Sequence, residues 1–280
     1  MLKLFNHILV PVDFSEQSLK TVDKAVELAV EYNCRVTLLH VVSAIPYSAF
    51  PMSDAMFTAP IQYADSYIKE ESALKKIMTH VRNLHPELDI QHAVKPGSWN
   101  ECVIDFSINE EIDLILIGVG SRLFRKRKMR LNPDRIAEHT EAAVITIPTN
   151  RRITRLFSVV IPVTDFLPVR KLMYGIFMAT SYNSRLLLLG INNEKFKDKP
   201  LYYLQQAFSL VSENSNLPVE KDIIFSDNIA EAVESYSRSR SADLIILNPS
   251  TQTRMPGFLS SLFGSIIQKT ASPPVLTITQ

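Results

Sequence analysis

The chain repeats four short apolar segments in the same order, once in each half. Each segment is a run rich in Val, Ile and Leu. Segments that recur in one order indicate a single folding unit that is present twice. The paired segments are residues 7–14 and 158–165, 38–42 and 188–192, 113–118 and 243–248, and 143–147 and 274–278.

Runs that are apolar on both faces are typical of parallel strands covered by helices on each side. Helical patterns lie between them, in the first half at residues 15–31, 62–84, 99–109 and from 133 onward. The sequence therefore predicts an α/β fold of two tandem, doubly wound, five-stranded parallel sheets. A polar turn with proline at residues 148–152 divides the chain. We call residues 1–149 lobe one and residues 150–280 lobe two.

Composition and charge exclude several classes of protein. The net charge of +1 gives no reason to expect nucleic acid or an anionic membrane as a partner. No apolar run approaches the ~20 residues of a membrane helix, and the first strand begins too early for a signal peptide. Cys34 and Cys102 form neither a metal spacing nor a disulfide framework. We expect a cytoplasmic protein with reduced thiols.

The six histidines show no metal-binding spacing, and no nucleophile stands beside a base. The sequence therefore predicts no metal, no catalytic residue and no enzyme.

A ligand in a doubly wound sheet binds beyond the carboxyl ends of the strands, where the strand order reverses. If strands one and four are neighbours there, Asp13 can accept a hydrogen bond from a ribose hydroxyl or a ring amine. An Asx-type turn before the helix is an equally good role for this aspartate. Glycines after strand four allow a phosphate to approach the backbone, but they are also typical of a turn. The candidate residues are Pro11, Val12, Asp13, Gly118, Gly120 and Ser121.

At residues 10–15, 38–42, 113–118 and 136–147 the chain resembles the universal stress protein family. The resemblance covers nearly the whole chain as two tandem copies. It implies a Rossmann-like sheet of the adenine nucleotide alpha hydrolase type, with strand order 3-2-1-4-5. It also implies that the last strands of the two lobes pair within the chain, which closes an otherwise exposed edge. A homodimer of the whole chain is a further expectation.

Family members that bind ATP use the aspartate after strand one and the backbone of strand two, which correspond here to Asp13 and Val41. Their phosphate loop has the form Gly-x-x-Gly, nine residues, then Gly-Ser/Thr. Lobe one departs from it, with Ser121 at the second glycine and Arg130–Leu131 at about the later pair. Lobe two departs further. It has Asn248, Thr251 and Ser261–Leu262 at these places, and Thr164 instead of the aspartate, with Asp165 one step displaced.

Two segments of lobe one allow more than one interpretation. Residues 122–130 carry six cations. These cations, Arg130 among them, could replace the lost glycine amides as a phosphate cradle, contact RNA, lipid or an acidic protein, or form a solvated loop. Residues 44–60 are expected to be an irregular loop, or alternatively a lid or a partner-binding patch.

The sequence favours a cytoplasmic stress-response or regulatory protein without catalysis. It would act through contacts with unknown protein partners, with a degraded nucleotide motif in both lobes. The alternative is an ATP-binding stress sensor that holds the nucleotide in lobe one against residues 122–130.

Overall fold

A computed structural model describes residues 4–42, 55–119, 129–249 and 273–279, with the backbone alone for residues 55–66. Within these residues, lobe one alternates strands with helices. The elements are β1 (His7–Pro11), α1 (Glu16–Tyr32), β2 (Arg35–Val42), α2 (Ala55–Leu84), β3 (Ile90–Pro96), α3 (Trp99–Asn109), β4 (Leu114–Val119), α4 (Pro133–His139) and β5 (Ala143–Pro148).

Lobe two repeats the series in the residues that the structure describes. Its elements are β6 (Ser158–Val163), α5 (Val169–Thr180), β7 (Arg185–Asn192), α6 (Lys199–Asn214), β8 (Val219–Phe225), α7 (Ile229–Ser239), β9 (Leu244–Leu247) and β10 (Val275–Thr277). The predicted α/β class is confirmed.

The ten strands of the described residues belong to one sheet, in the order β3-β2-β1-β4-β5-β10-β9-β6-β7-β8. Each half of this order is 3-2-1-4-5, and the strands within each half are parallel. The structure differs from two separate five-stranded sheets because the halves are joined. β5 and β10 pair antiparallel, with Ile145 opposite Leu276. The last strands of the two lobes therefore cover one another, as the sequence predicts.

The core reinforces this junction on one side of the sheet. A single hydrophobic cluster extends through both lobes on the side of α1, α2, α5 and α6, whereas the opposite side has a separate cluster in each lobe. Phe5, before β1, contacts Tyr174 and Phe177 of α5 with ring centroids 5.7 and 5.3 Å apart. Tyr32 of α1 stacks on Phe177 at 5.0 Å. The lobes thus share buried aromatic surface as well as a strand pair.

An aspartate side chain fixes the first strand of each lobe in the same way. Asp113 accepts hydrogen bonds through Oδ2 from the backbone N–H groups of Asn6 and His7, at 2.8 and 3.0 Å. Asp243 accepts through Oδ2 from those of Phe157 and Ser158, at 2.9 and 3.1 Å. Both aspartates stand before a buried strand and fix the start of its neighbour.

One predicted boundary is wrong. The second helix begins at Ala55 rather than near residue 62, so residues 55–60 of the predicted loop are helical. Pro60 indicated a helix break, but the segment before it includes the strong helix formers Ala55, Met56 and Ala59. The rest of that loop, residues 44–54, lies outside the described residues. In the part of the chain that the structure describes, no helix is long and apolar enough to cross a membrane.

Candidate functional site

The crevice of lobe one opens where β1 and β4 separate. Their pairing consists of Ile8 with Leu114 and Leu9 with Ile115, and the strands part beyond it. This is the point at which the strand order reverses, since β2 lies on one side of β1 and β4 on the other. The loop from β1 to α1 forms one wall and brings Asp13 to the crevice.

Asp13 is 9% exposed, and its carboxylate is engaged within the protein. Its Oδ1 accepts from the backbone N–H of Ser15 at 3.1 Å and from the Ser15 hydroxyl at 2.5 Å. The Ser15 hydroxyl in turn accepts from the N–H of Ser18 at 3.3 Å and so caps α1. The backbone N–H of Met129 also donates to Asp13. The Asx-type turn considered in the sequence analysis is therefore present.

These hydrogen bonds decide the charge of Asp13. Burial is the largest influence and raises the pKa of the carboxyl, because the anion loses water. The hydrogen bonds from Ser15, Ser18 and Met129 together outweigh burial and lower the pKa below its usual value. Asp13 is thus an anion stabilised by its own surroundings.

The backbone groups of Val12 are also used. Its N–H donates to the carbonyl of Leu39 at 2.8 Å, and its carbonyl accepts from Nδ1 of His40 at 2.6 Å. The His40 ring lies between Phe14 and Trp99, with centroids 4.7 and 5.5 Å away. This aromatic group fills the space beside the carboxyl ends of β1 and β2.

The other strand residues of the predicted site are buried within the sheet. Pro11 pairs with Leu39, and Val41 pairs with Lys95 of β3. Val41 is 3% exposed. Pro11 and Val41 therefore lie on two neighbouring strands, and Val12 and Asp13 directly follow the first; the polar groups of Val12 and Asp13 are used within the protein.

Gly118 has a packing role that the sequence did not reveal. A Cβ added at this position would lie 2.2 Å from Oγ1 of Thr21 and 2.9 Å from the carbonyl oxygen of Gln17. Both atoms belong to α1, so glycine is needed for the close approach of this helix to β4. Its predicted contact with a phosphate stays a prediction.

Much of the predicted phosphate loop, namely Gly120, Ser121 and residues 122–128, lies outside the described residues. Arg130 is exposed, and its carbonyl accepts from Nδ2 of Asn100 at 3.1 Å. A strict count of nine residues after Ser121 places the later pair on Leu131–Asn132, one position beyond the sequence assignment.

The end of this loop is tied to the fold. Asn132 caps α4 by accepting from the N–H of Arg135 at 3.2 Å. Its own N–H donates to Oδ1 of Asn100 at 2.8 Å. The side chain at the later loop position therefore has a structural use.

Comparison with known proteins identifies the family. The model of the universal stress protein family matches residues 4–148. The chain belongs to the universal stress protein family. It is 26% identical, over 114 residues, to universal stress protein A homolog 1 of Coxiella burnetii (strain RSA 493 / Nine Mile phase I); the match covers 41% of this chain and 76% of that protein.

Solved structures show the same fold over the whole chain. A universal stress protein from Archaeoglobus fulgidus DSM 4304 superimposes with a TM-score of 0.71 at 16% identity, covering 99% of this chain and 98% of that one. A protein of unknown function from Pseudomonas aeruginosa PAO1 has a TM-score of 0.58 at 14% identity, covering 98% and 92%. Both neighbours thus match the two lobes together.

Lobe two of this universal stress protein has different groups at the same place. Thr164 stands at the position of Asp13, and its hydroxyl lies 3.3 Å from Oδ1 of Asp165. Asn248 stands at the position of Gly118, and its Nδ2 donates to the carbonyl of Ile278 at 2.9 Å. The later positions Thr251 and Ser261–Leu262 are not among the described residues.

A groove of about 840 Å³ lies between α1, α2 and residues 152–155, away from the crevice. The Thr154 hydroxyl donates to Oε2 of Glu27 at 3.3 Å, and the Tyr182 hydroxyl donates to Oε2 of Glu31 at 3.1 Å. These bonds connect the linker and lobe two to α1, so the groove is a seam between the lobes. No three His, Cys, Asp or Glu side chains form a metal site in the described residues.

Two site residues were missed by sequence reasoning. The Ser18 N–H donates to the Ser15 hydroxyl that bonds Asp13, and Lys171 is buried in the first turn of α5. The signal that could have revealed them is the alignment of the buried faces of α1 and α5.

Proposed function

We propose that this member of the universal stress protein family is a non-catalytic regulatory protein that acts through contact with other proteins. In this proposal, the crevice of lobe one is not a working nucleotide site. The observation that carries it is the Asp13 carboxylate, which accepts hydrogen bonds from Ser15 and Met129 of the protein itself.

The energetic argument compares a nucleotide with these internal donors. A carboxylate can accept about four hydrogen bonds, and Ser15 and Met129 already donate to that of Asp13. A ribose hydroxyl there would compete with these donors, and a buried N–H that lost its acceptor would cost ~1–3 kcal/mol. Val12 offers no free backbone group either, because Leu39 and His40 use both. Occupied acceptors therefore disfavour nucleotide binding at this crevice.

One histidine near the sheet uses both ring nitrogens within the fold. His7 Nδ1 lies 3.2 Å from the Glu110 carbonyl, and its Nε2 lies 2.7 Å from the Thr37 hydroxyl. A general base needs a free nitrogen near a reacting group, so His7 is unsuited to that role.

The test is thermal unfolding with and without millimolar Mg-ATP, with AMP for comparison. A ligand at about 100 times its dissociation constant adds ~2.7 kcal/mol of stability, which is several degrees for a chain of this size. We expect no shift for the wild type or for Asp13→Ala. The matched control is Thr164→Ala, at the same position in lobe two. A wild-type shift that Asp13→Ala abolishes and Thr164→Ala preserves would refute the proposal and establish the ATP sensor.

An exposed apolar surface supports action through protein contact. Ile223 and Phe225, on one face of the outer strand β8, are 45% and 66% exposed. Val94, the matching position to Ile223 in β3, is 8% exposed. The helix next to β8 is shorter, since α6 has 16 residues and α2 has 30. Exposed apolar surface of this kind marks interaction sites.

A photo-crosslinking amino acid at position 225 tests this surface in cells. We expect specific crosslinked proteins there and none at position 91, an exposed site on the outer strand of lobe one. Equal labelling at the two positions, or none at either, would contradict protein contact through β8.

The remaining features of the proposal follow from the sequence. We propose two domains, residues 1–149 and a degenerate second domain at residues 150–280. We also propose that the protein is cytoplasmic, in keeping with Cys34 and Cys102, which form no disulfide with each other, and that a homodimer is its assembled form.

A further inference from the structure

Lobe two places a lysine where lobe one has the threonine of α1 that meets its crevice glycine. The ends of α1 and α5 match, because Asn183 and Ser184 repeat Asn33 and Cys34, so Lys171 corresponds to Thr21. The matched buried positions are Thr21, Val22, Ala25 and Ala29 of α1, and Lys171, Leu172, Gly175 and Ala179 of α5. Because Thr164 replaces Asp13 as well, the crevice of lobe two has gained a positive group and lost a negative one.

The Lys171 amine lies inside the protein at this crevice. The residue is 5% exposed, and Nζ donates to the carbonyl of Pro162 at 2.7 Å. Pro162 stands beyond Val160 and Ile245, the last paired residues of β6 and β9, where these strands part. The ring of Phe166 lies 5.7 Å from Nζ. The amine therefore lies where the strand order of lobe two reverses.

No carboxylate balances this amine among the described residues, since none lies within 4.0 Å of Nζ. The charged residues nearby in sequence are engaged elsewhere. Asp165 is bonded to the Thr164 hydroxyl, and Arg170 donates to the Glu141 carbonyl and to Thr279. Burial alone lowers the pKa of Lys171 to about 7. Isolated buried ammonium groups are costly, and an anion beside them removes much of the cost.

A second polar atom without a partner belongs to Asn248. This residue is 4% exposed, and its Oδ1 has no hydrogen-bond partner in the described residues. In lobe one the matching Gly118 approaches Thr21, the residue that corresponds to Lys171. Asn248 therefore belongs beside Lys171. A buried oxygen without a donor favours a ligand that can supply one.

We propose that the crevice of lobe two binds a small carboxylate that also carries a hydrogen-bond donor, such as a 2-hydroxy acid. Lys171 pairs with the carboxylate, and Oδ1 of Asn248 accepts from the hydroxyl. One buried cation suits a monoanion better than the phosphate dianion, because a second negative charge would lack a partner in this apolar place. The proposal does not depend on whether lobe one binds a nucleotide.

Glycolate is the probe, compared with acetate and inorganic phosphate at constant ionic strength. Binding is measured by saturation-transfer NMR and by the shift in melting temperature. We expect glycolate to bind more tightly than acetate, and phosphate not to bind. Lys171→Met should abolish binding, Lys171→Arg should retain part of it, and Asn248→Ala should reduce glycolate binding to the level of acetate. The control Lys199→Met removes an exposed lysine of the same lobe and should change nothing.

The pH dependence is a readout that a purely structural lysine would not give. Only the protonated amine pairs with the anion, and the lysine loses its proton above about pH 7. Glycolate affinity should therefore fall roughly 50-fold between pH 7 and pH 9. The proposal is overturned if glycolate does not bind, if phosphate alone binds, or if Lys171→Met binds glycolate as the wild type does.

Discussion

The glycine at position 118 gives the most direct test of why β4 and α1 have these sequences. In Gly118→Ala the new Cβ would lie 2.2 Å from Oγ1 of Thr21. This distance is about 1.2 Å shorter than an ordinary van der Waals contact, and the nearby backbone carbonyl of Gln17, at 2.9 Å, cannot rotate away. Overpacking of a buried site costs ~1–3 kcal/mol, and we expect a value near 2–3 kcal/mol. The assay is urea unfolding followed by circular dichroism.

A double-mutant cycle with Thr21→Ala isolates the clash. Removal of Oγ1 should recover at least ~1 kcal/mol of the loss, although the contact with Gln17 remains. The matched control is Gly190→Ala, where a Cβ would meet Cδ2 of Leu204 at 3.0 Å. This atom ends a flexible side chain, so the control should cost less. If the free energy of unfolding of Gly118→Ala lies within ~0.5 kcal/mol of that of the wild type, the close approach of α1 does not explain the glycine.

Three further predictions concern Asp13, His7 and the junction of the lobes. Asp13→Ala should lower the free energy of unfolding by ~1–2 kcal/mol. Because folding lowers the pKa of Asp13 from its usual value of 3.8, this loss should be complete above that pH. It should vanish in urea titrations as the pH falls through the folded pKa. Burial lowers the pKa of His7, so wild-type stability should decline as pH falls below about 6.5, and a decline of equal size in His7→Gln would rule out this residue as its source. A fragment of residues 1–149 exposes β5, which is buried in the whole chain, and should dimerise or aggregate in sedimentation experiments; a stable monomer would show that the edge needs no cover.

The sequence predicted the fold well because its strands are buried on both faces. Such strands are continuous apolar runs, and their repetition in order predicted the two lobes, whereas the strand order was implied by the resemblance to the family. The start of α2 was missed because Pro60 indicates a break, while helix formers precede it. Local patterns cannot tell which of these signals the tertiary structure will favour.

The site was less predictable because its residues have two uses each. An aspartate after a strand suits a ribose hydroxyl and an Asx turn equally, and only the positions of Ser15 and Met129 decide where the Asp13 hydrogen bonds go. Gly118 depends on a helix that is about 100 residues distant in sequence. Lys171 lies on a helix, where a lysine usually faces water, and its burial follows from the packing of α5 on the sheet.

The antiparallel contact of β5 with β10 also sets the directions in which the two crevices open. Parallel strands within each lobe end at one border of the sheet, and the reversal at the junction sends the two borders to opposite sides. A molecule bound at Asp13 and one bound at Lys171 therefore cannot touch. Each crevice opens to a different side of the molecule, so a change of charge in one crevice leaves the chemistry of the other intact. The junction that unites the lobes mechanically is also what allows them to diverge.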